Sequence, residues 1–153
     1  MSTNTAELAV RKTITVAASI DSAFATFTER IEEWWPLASY SVGQERAEAA
    51  FLEGRVGGRV YERMQGGEEA HWAEVLAWEP PHRLVLAWRP NPAAAAPTEV
   101  EVRFAATGPD ETRVELEHRG WERLGAEAAE AHASYDGGWD GVLDLYREAA
   151  GVA

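Results

Sequence analysis

Apolar residues recur at steps of three and four along the last part of the chain, from about Trp121 to Ala150. This spacing places them on one face of an α-helix. A helix of roughly 28 residues is about 40 Å long, and a one-sided helix of that length needs an apolar surface to cover. We therefore expect it to lie across a sheet. The predicted apolar face consists of Leu124, Ala128, Ala131, Tyr135, Gly138, Trp139, Val142, Tyr146 and Ala149.

Two adjacent glycines, Gly137 and Gly138, stand in the middle of this helix, directly before Trp139. Each costs about 1 kcal/mol relative to alanine in a helix interior. We interpret them as providing room, through a close backbone approach, a kink, or space for a ligand. The alternative is that the helix breaks into two pieces at this point.

The preceding residues alternate between apolar and polar with period two, which is typical of strands with one buried face. A first strand is predicted over Leu8 to Val16. A short helix begins near Ile20, with its N-cap among residues 19–21, and a second short helix covers Ile31 to Trp35. Arg89 to Thr98, with three prolines and four consecutive alanines, is predicted to be a loop. Further strands are predicted near residues 44–52, 59–64, 69–78, 84–89, 99–104 and 113–118.

Short turns join these strands, so the sheet should be antiparallel, and the long helix is the element that can cover its apolar face. The predicted fold class is therefore α+β: a curved antiparallel sheet of about seven strands wrapped around a long C-terminal helix, with two short helices after the first strand. We expect one domain over residues 8–150, preceded by a disordered tail at residues 1–7.

The amino-acid composition limits the kinds of partner and the cellular compartment that we expect for this protein. The chain has 153 residues, no cysteine and a net charge of −12 at pH 7. The lack of cysteine excludes disulfides and thiolate metal ligands and fits a cytoplasmic protein. Nucleic acid and anionic membranes are not expected partners, because binding phosphates needs clustered Lys and Arg. No apolar run approaches the roughly 18 residues of a membrane span, and we expect no signal peptide.

A series of short motifs follows a fixed order from about Val10 to Ala150. They are Trp34-Trp35-Pro36, Gly57-Gly58-Arg59, Trp78-Glu79-Pro80-Pro81, Arg83-Leu84, Trp88, Thr112-Arg113-Val114, Leu116-Glu117-His118, Gly120 and Tyr135-Asp136-Gly137-Gly138-Trp139. In this order they resemble the START-like helix-grip superfamily, also called SRPBCC, and within it proteins similar to the C-terminal domain of the heat-shock-protein ATPase activator. The resemblance implies an incomplete β-barrel that grips the long helix around a cavity, in a monomer or a homodimer. Members of the superfamily bind apolar molecules, and some catalyse cyclisation or hydrolysis.

His118 alternates with apolar residues that should face the helix, so it is predicted to point inward. A buried imidazole needs hydrogen-bond partners, and it titrates near neutral pH, which suits acid-base chemistry. The alternative is a structural histidine that is hydrogen-bonded to the backbone or to Glu62.

Glu62 lies between Val60 and Met64, and the same alternation would point it inward, where a carboxylate needs a partner. Glu62 and His118 would then form a general acid-base pair. The alternative is that Tyr61 points inward and Glu62 is solvated. For the strand at residues 69–78 the pattern does not choose between the two faces, and a β-bulge is a third possibility.

Seven tryptophans are many for a chain of this length, and large rings line apolar pockets as well as cores. In the fold that the resemblance implies, an aromatic group lies at the helix ends and at the mouth of the cavity. The alternative is that these rings form only core and lid packing. The predicted ligand-binding residues are Trp34, Trp35, Trp72, Trp88, His118, Trp121, Tyr135 and Trp139.

The sequence has no HExxH motif, P-loop, nucleophile elbow or dinucleotide fingerprint, so no metal and no cofactor is expected. The first function hypothesis is the binding of a small apolar or aromatic ligand between the sheet and the C-terminal helix. The second is an enzyme of the cyclase or hydrolase type that uses His118 and Glu62 on a bound hydrophobic substrate. The third, which follows from the resemblance alone, is a module that stimulates a chaperone ATPase.

Overall fold

The computed structural model describes residues 9–35, 47–64, 66–88, 97–121 and 128–151. The predicted order of one strand, two short helices, six strands and a long helix is confirmed. The predicted tail at residues 1–7 and the strand residues 44–46 lie outside the described residues. In chain order the elements are β1 (Val10–Val16), α1 (Ile20–Thr28), α2 (Ile31–Trp34), β2 (Ala47–Leu52), β3 (Arg59–Met64), β4 (Glu69–Glu79), β5 (Arg83–Trp88), β6 (Thr98–Gly108), β7 (Glu111–Arg119) and α3 (Ala128–Ala150).

The seven strands form one antiparallel sheet in the order β1-β7-β6-β5-β4-β3-β2. Strands β2 to β7 each pair with their neighbours in the chain, and β1 closes the order by pairing with β7. In that pairing Val10 lies opposite His118 and Val16 opposite Thr112. The sheet is curled into a half-barrel around the C-terminal helix, which is the predicted helix-grip architecture.

Helix α3 packs against β1, α1 and α2. It buries Trp139, Val142 and Tyr146 from the predicted apolar face. The described part of the helix begins at Ala128. Trp121, near which the helix is predicted to start, follows the end of β7, and residues 122–127 between the two lie outside the described residues. The residue before Trp121 is Gly120, whose φ of +89° turns the chain in a conformation that favours glycine. Leu124 lies outside the described residues.

The helix is continuous through Gly137 and Gly138. Among the described residues, a Cβ at either position would meet no atom within 4 Å beyond its own stretch of helix. Neither a break nor a close backbone approach therefore explains the pair. In the part of the chain that the structure describes, nothing fills the space beside either glycine.

Strand β4 contains a β-bulge at Trp72. Val60 of β3 lies opposite Ala73, whereas the next residue, Tyr61, lies opposite His71, so Trp72 is the extra residue. A second register shift occurs further along the strand, against β5. A bulge changes which face successive residues occupy, and both Trp72 and Ala73 are buried. The structure thus resolves the open choice for this strand, with residues of both predicted faces reaching the interior.

Helix α1 covers the end of the sheet where Phe104 lies. Phe24 and Phe27 pack against Phe104 with ring centroids 5.2 and 5.9 Å apart, in edge-to-face geometry. The Tyr146 hydroxyl of α3 donates a hydrogen bond to the carbonyl oxygen of Ala23 at 2.8 Å. These contacts fix α1 and α3 relative to the sheet. Among the described residues, no helix is both long and apolar enough to cross a lipid bilayer.

Candidate functional site

A group of aromatic side chains meets where one end of the sheet faces α2 and α3. Neighbouring ring centroids lie between 4.3 and 6.4 Å apart, within the range of aromatic contact. All members are less than a tenth exposed except Tyr135, which is half-buried. We call this group the indole cluster, and it consists of Trp35, Trp72, Trp88, His118, Trp121, Tyr135 and Trp139.

The sheet register explains why residues distant in sequence meet in the cluster. Trp88 at the end of β5 lies opposite Thr98 at the start of β6. Val100 of β6 in turn lies opposite His118 near the end of β7. Trp72 joins them through the bulge in β4. The structure thereby brings seven of the eight predicted ligand-binding residues into one network of contacts.

Trp34, the eighth predicted residue, belongs mainly to the packing around α1. Its ring lies 5.1 Å from Phe27 and 5.3 Å from Tyr146, centroid to centroid. Its indole N–H donates to the carbonyl oxygen of Thr26 at 2.8 Å. The ring also touches Trp35 at 5.9 Å, so Trp34 connects the indole cluster to the core around α1 without lying among its rings.

Both ring nitrogens of His118 are held by side chains of the protein. The indole N–H of Trp139 donates to Nδ1 at 3.0 Å. Because an indole nitrogen donates but does not accept, Nδ1 is unprotonated and the imidazole proton lies on Nε2. Nε2 donates to the hydroxyl oxygen of Thr98 at 2.6 Å, and that hydroxyl donates to the carbonyl oxygen of Trp88 at 3.3 Å. The chain of donors runs from α3 through His118 to the β5–β6 pair.

The electrostatics agree with a neutral imidazole. Burial, and to a smaller degree the nearby His132, lower the pKa of His118 from 6.5 to about 3. His118 is completely buried. With both nitrogens already hydrogen-bonded, it serves as a connector between α3 and the sheet and lacks a free nitrogen for acid-base chemistry.

Trp121 and Tyr135 enclose the imidazole of His118. The Trp121 ring stacks on it at a tilt, with centroids 4.3 Å apart, and the indole N–H of Trp121 donates to the His118 carbonyl oxygen at 2.9 Å. Tyr135 meets His118 edge-on at 4.9 Å and accepts a hydrogen bond from the Trp88 indole at 3.2 Å. Burial raises the pKa of the Tyr135 hydroxyl, partly offset by that hydrogen bond.

Glu62 is completely buried, so the alternative of a solvated Glu62 is wrong. Tyr61, the residue proposed to point inward in its place, is only half-buried. A carboxylate oxygen of Glu62 accepts a hydrogen bond from the Trp72 indole at 2.6 Å. The predicted couple with His118 is not formed, since both imidazole nitrogens bond to Thr98 and Trp139.

Thr98 is the member of the network that the sequence did not reveal. It lies at the end of the segment predicted to be a loop, whereas the structure makes it the first residue of β6. Only the strand pairing, which sets Thr98 opposite Trp88, identifies it as part of the site.

Three or more His, Asp or Glu side chains suited to a metal ion are not found together in the described part of the chain.

A separate crevice of about 530 Å³ lies near the opposite end of β5. It is formed by α1 together with the chain after β2 and β4. Its floor includes Phe24 and Trp78, whose rings meet edge-on at 5.1 Å. Asp21 and Glu29 also line it. Trp78 is therefore an aromatic residue in contact with a cavity but outside the indole cluster.

Comparison with known proteins places the chain among helix-grip proteins. The family described as Activator of Hsp90 ATPase homolog 1-like protein matches residues 17–149. Among curated proteins, the comparison found no match.

Solved structures share both the fold and part of the sequence. An anthrahydroquino-γ-pyrone synthase, Txn09, complexed with SUM, is 36% identical, with 92% of this chain and 96% of the synthase covered and a TM-score of 0.64. CalC from Micromonospora echinospora, described as a self-sacrificing resistance protein, is 29% identical over 94% of this chain and 96% of its own, with a TM-score of 0.66.

The Aha1 dimer from Colwellia psychrerythraea is 18% identical over 94% of this chain and 96% of its own, with a TM-score of 0.66, and this likeness shows the fold alone. The family match spans most of the chain, including both short helices, six strands and nearly all of α3. The chain therefore belongs to the family of Activator of Hsp90 ATPase homolog 1-like proteins, within the START-like (SRPBCC) superfamily.

Proposed function

We propose that this protein binds a small planar aromatic molecule at the indole cluster, between the sheet and α3. The observation that carries the proposal is the convergence of seven aromatic rings. They come from the C-cap of α2, from α3, from β4, β5 and β7, and from the residues directly after β7. Flat aromatic faces stack on aromatic ligands. Pockets for apolar molecules are lined by such side chains with a few polar groups among them.

The relatives support an aromatic ligand. The synthase at 36% identity is named for an anthrahydroquino-γ-pyrone, which is a fused aromatic ring system. A protein of the same fold and of related sequence is thus named for a flat ring system, which is the kind of molecule that could stack on the rings of the indole cluster. This favours a flat, fused-ring ligand over a flexible aliphatic one.

The rings of the cluster already touch one another, so a bound ligand has to part them. Trp35 and Trp72 are the closest indole pair, with centroids 4.9 Å apart. On the helix side, Gly138 lies one turn from Tyr135, and a Cβ there would meet no described atom within 4 Å. Binding should therefore change the emission of the clustered tryptophans, which gives a direct readout.

The first experiment uses fluorene and 9-fluorenone as probes and follows tryptophan fluorescence and thermal unfolding. A probe at 100 times its dissociation constant should stabilise the protein by about 2.7 kcal/mol. Trp88→Phe, inside the cluster, should weaken binding several-fold. Trp78→Phe, in the separate crevice, is the matched control and should leave affinity unchanged. The proposed site is wrong if Trp78→Phe weakens binding and Trp88→Phe does not, and the proposed function fails if neither probe binds the wild-type protein.

A second candidate is an enzyme that cyclises a substrate bound in the same place, because the relative at 36% identity is a synthase. Glu62, buried beside Trp72, is the carboxylate placed to act as a base. Glu62→Gln keeps an acceptor for the Trp72 indole and removes the base. It should abolish turnover of the synthase's substrate, followed by absorbance and mass spectrometry, while probe binding stays intact. Retained turnover in this variant would exclude Glu62 as the base.

Chaperone ATPase stimulation has less support from the surface. The large apolar side chains that are exposed in the described part of the chain are Val56, Leu76 and Leu145. They lie apart along the chain, in the turn between β2 and β3, in β4 and in α3. An ATPase assay with the chaperone, with and without this protein, tests the idea directly. Homodimer formation stays a prediction, and light scattering coupled to size exclusion would measure it.

A further inference from the structure

One indole in the cluster has no hydrogen-bond partner among the residues that the structure describes. The Nε1 atom of Trp35 is buried and unpaired, and the side chain as a whole is 8% exposed. Buried donors without acceptors are rare in native proteins, and each calls for an explanation. By contrast, an acceptor within the protein takes the indole N–H of Trp34, Trp72, Trp88, Trp121 and Trp139.

The surroundings of Trp35 show why the protein does not satisfy this donor. The ring is packed by Trp72 at 4.9 Å, Trp88 at 5.9 Å and Trp139 at 6.4 Å, centroid to centroid. An indole nitrogen has no lone pair to accept a hydrogen bond. The indole cluster therefore combines several aromatic faces with one indole N–H that no described acceptor takes.

We propose that Trp35 donates its indole N–H to an oxygen atom of the bound ligand. The ligand class is then a planar aromatic molecule that carries a carbonyl or a comparable oxygen acceptor in the plane of its rings. Stacking on the neighbouring indoles would hold the ring system, and the bond to Trp35 would fix its orientation. This inference rests on the proposed aromatic-ligand function and adds the polar group that recognises the ligand.

The test compares two probes of the same tricyclic shape: 9-fluorenone carries a carbonyl oxygen, and fluorene has none. The ratio of their dissociation constants is measured for the wild-type protein, Trp35→Phe and Trp34→Phe. In Trp35→Phe the preference for fluorenone over fluorene should fall by up to about tenfold, the loss expected for one hydrogen bond. Trp34→Phe removes a neighbouring indole whose N–H bonds to Thr26, so it should keep the wild-type ratio.

Taking a ratio of ratios removes the general effect of each substitution on packing, as in a double-mutant cycle. An unchanged ratio in Trp35→Phe, with both probes still bound, overturns the donor role and leaves the aromatic site standing. It would mean that the indole N–H points at the face of a neighbouring ring. Failure of both probes to bind the wild-type protein overturns the proposed function and this inference together.

A second measurement covers the case in which Trp35→Phe does not fold. In wild-type protein labelled with ¹⁵N-tryptophan, the indole N–H signal of Trp35 should move downfield with 9-fluorenone and not with fluorene. The other indole signals report on ring displacement with both probes. If the Trp35 signal responds equally to the two probes, the ligand oxygen is not its acceptor.

Discussion

The indole N–H of Trp139 points at Nδ1 of His118 across 3.0 Å, joining helix α3 to strand β7. Protonation of His118 would place a second N–H at Nδ1, so that two donors would face each other in a buried site. The imidazole therefore belongs to the folded state as a neutral group. Its contribution is to hold the helix against the sheet, which favours a binding role for the site over catalysis by His118.

The first prediction concerns the dependence of stability on pH. The pKa of His118 is lowered from 6.5 to about 3 in the folded protein. Between these values the unfolded chain binds a proton that the folded chain does not, so the free energy of unfolding falls as the pH falls. The expected loss is about 1 kcal/mol per pH unit between pH 6 and 5, is about half its maximum at pH 6.5, and is nearly gone about one pH unit higher.

His118→Gln isolates this effect, because glutamine does not titrate. The variant should be less stable than wild type at pH 7, yet its free energy of unfolding should fall less steeply on acidification. Urea unfolding at pH 7, 6 and 5 measures both slopes, and all other groups contribute equally to the two proteins. Parallel slopes would mean that His118 is protonated in the folded state.

The next prediction concerns Thr98, whose hydroxyl is the hydrogen-bond partner of His118 Nε2. Thr98→Val keeps the shape of the side chain but leaves the Nε2–H of His118 buried without an acceptor, at a cost of about 1–3 kcal/mol. Thr98→Ser retains the hydroxyl and should cost less than about 1 kcal/mol, the scale of a lost methyl group. Denaturant unfolding of both variants makes the comparison. Equal free energies of unfolding for the two variants would show that the hydrogen bond with His118 does not contribute to stability.

Local patterns in the sequence were enough to predict the elements of the fold. Strand β3 was predicted over residues 59–64 and spans Arg59–Met64, because alternation with period two depends only on neighbouring residues. Helix α1 begins at the predicted place, where the Ser19 hydroxyl accepts a hydrogen bond from the backbone N–H of Ser22 at 3.2 Å. These features depend on residues that are only a few positions apart, so the local sequence is enough to predict them.

The partners inside the site depend on register and could not be predicted in this way. Inward positions were assigned correctly to His118, but its partner Thr98 is 20 residues away in sequence. Glu62 bonds to Trp72 because a β-bulge changes the face of β4. A bulge adds one residue to one strand without a consistent sequence signature, so alternation alone cannot specify which cross-strand side chains meet.

The glycine pair offers a test of space next to the site. Gly137 is exposed and Gly138 half-buried, and a Cβ at either would meet no further atom of a described residue within 4 Å. Replacing either by alanine should therefore stabilise the protein by up to about 1 kcal/mol through helix propensity. Urea unfolding measures this gain for each variant.

The two alanine variants should differ in ligand binding. Gly138 is half-buried and lies on the same side of α3 as Tyr135 of the indole cluster, one turn away. A methyl group there should therefore weaken the binding of 9-fluorenone while raising stability. Gly137→Ala is the control and should raise stability alone. If Gly138→Ala binds the probe as tightly as wild type, the open space beside the helix is not part of the ligand site.

The attachment of edge strand β1 to α3 yields the last prediction. Lys12 reaches Asp136 and Asp140 of α3, with its Nζ 3.1 Å from each carboxylate, and its side chain is 18% exposed. Although burial lowers the pKa of Lys12, its hydrogen bonds to the two carboxylates raise it overall, so it stays charged. The neighbouring Arg11 pairs with Glu117 at 3.1 Å from a side chain that is 63% exposed.

These adjacent residues form a matched pair for substitution by methionine. Lys12→Met removes a shielded cation and leaves two carboxylates one helical turn apart, where they repel, so it should cost about 1 kcal/mol. Arg11→Met breaks an exposed pair within the sheet and should cost about 0.3 kcal/mol or less. High salt screens the repulsion as well as the attraction, so the difference between the variants should shrink in 1 M NaCl, measured by urea unfolding. Equal losses, or a difference that salt leaves untouched, would show that charge does not hold β1 against α3 and that apolar packing alone does.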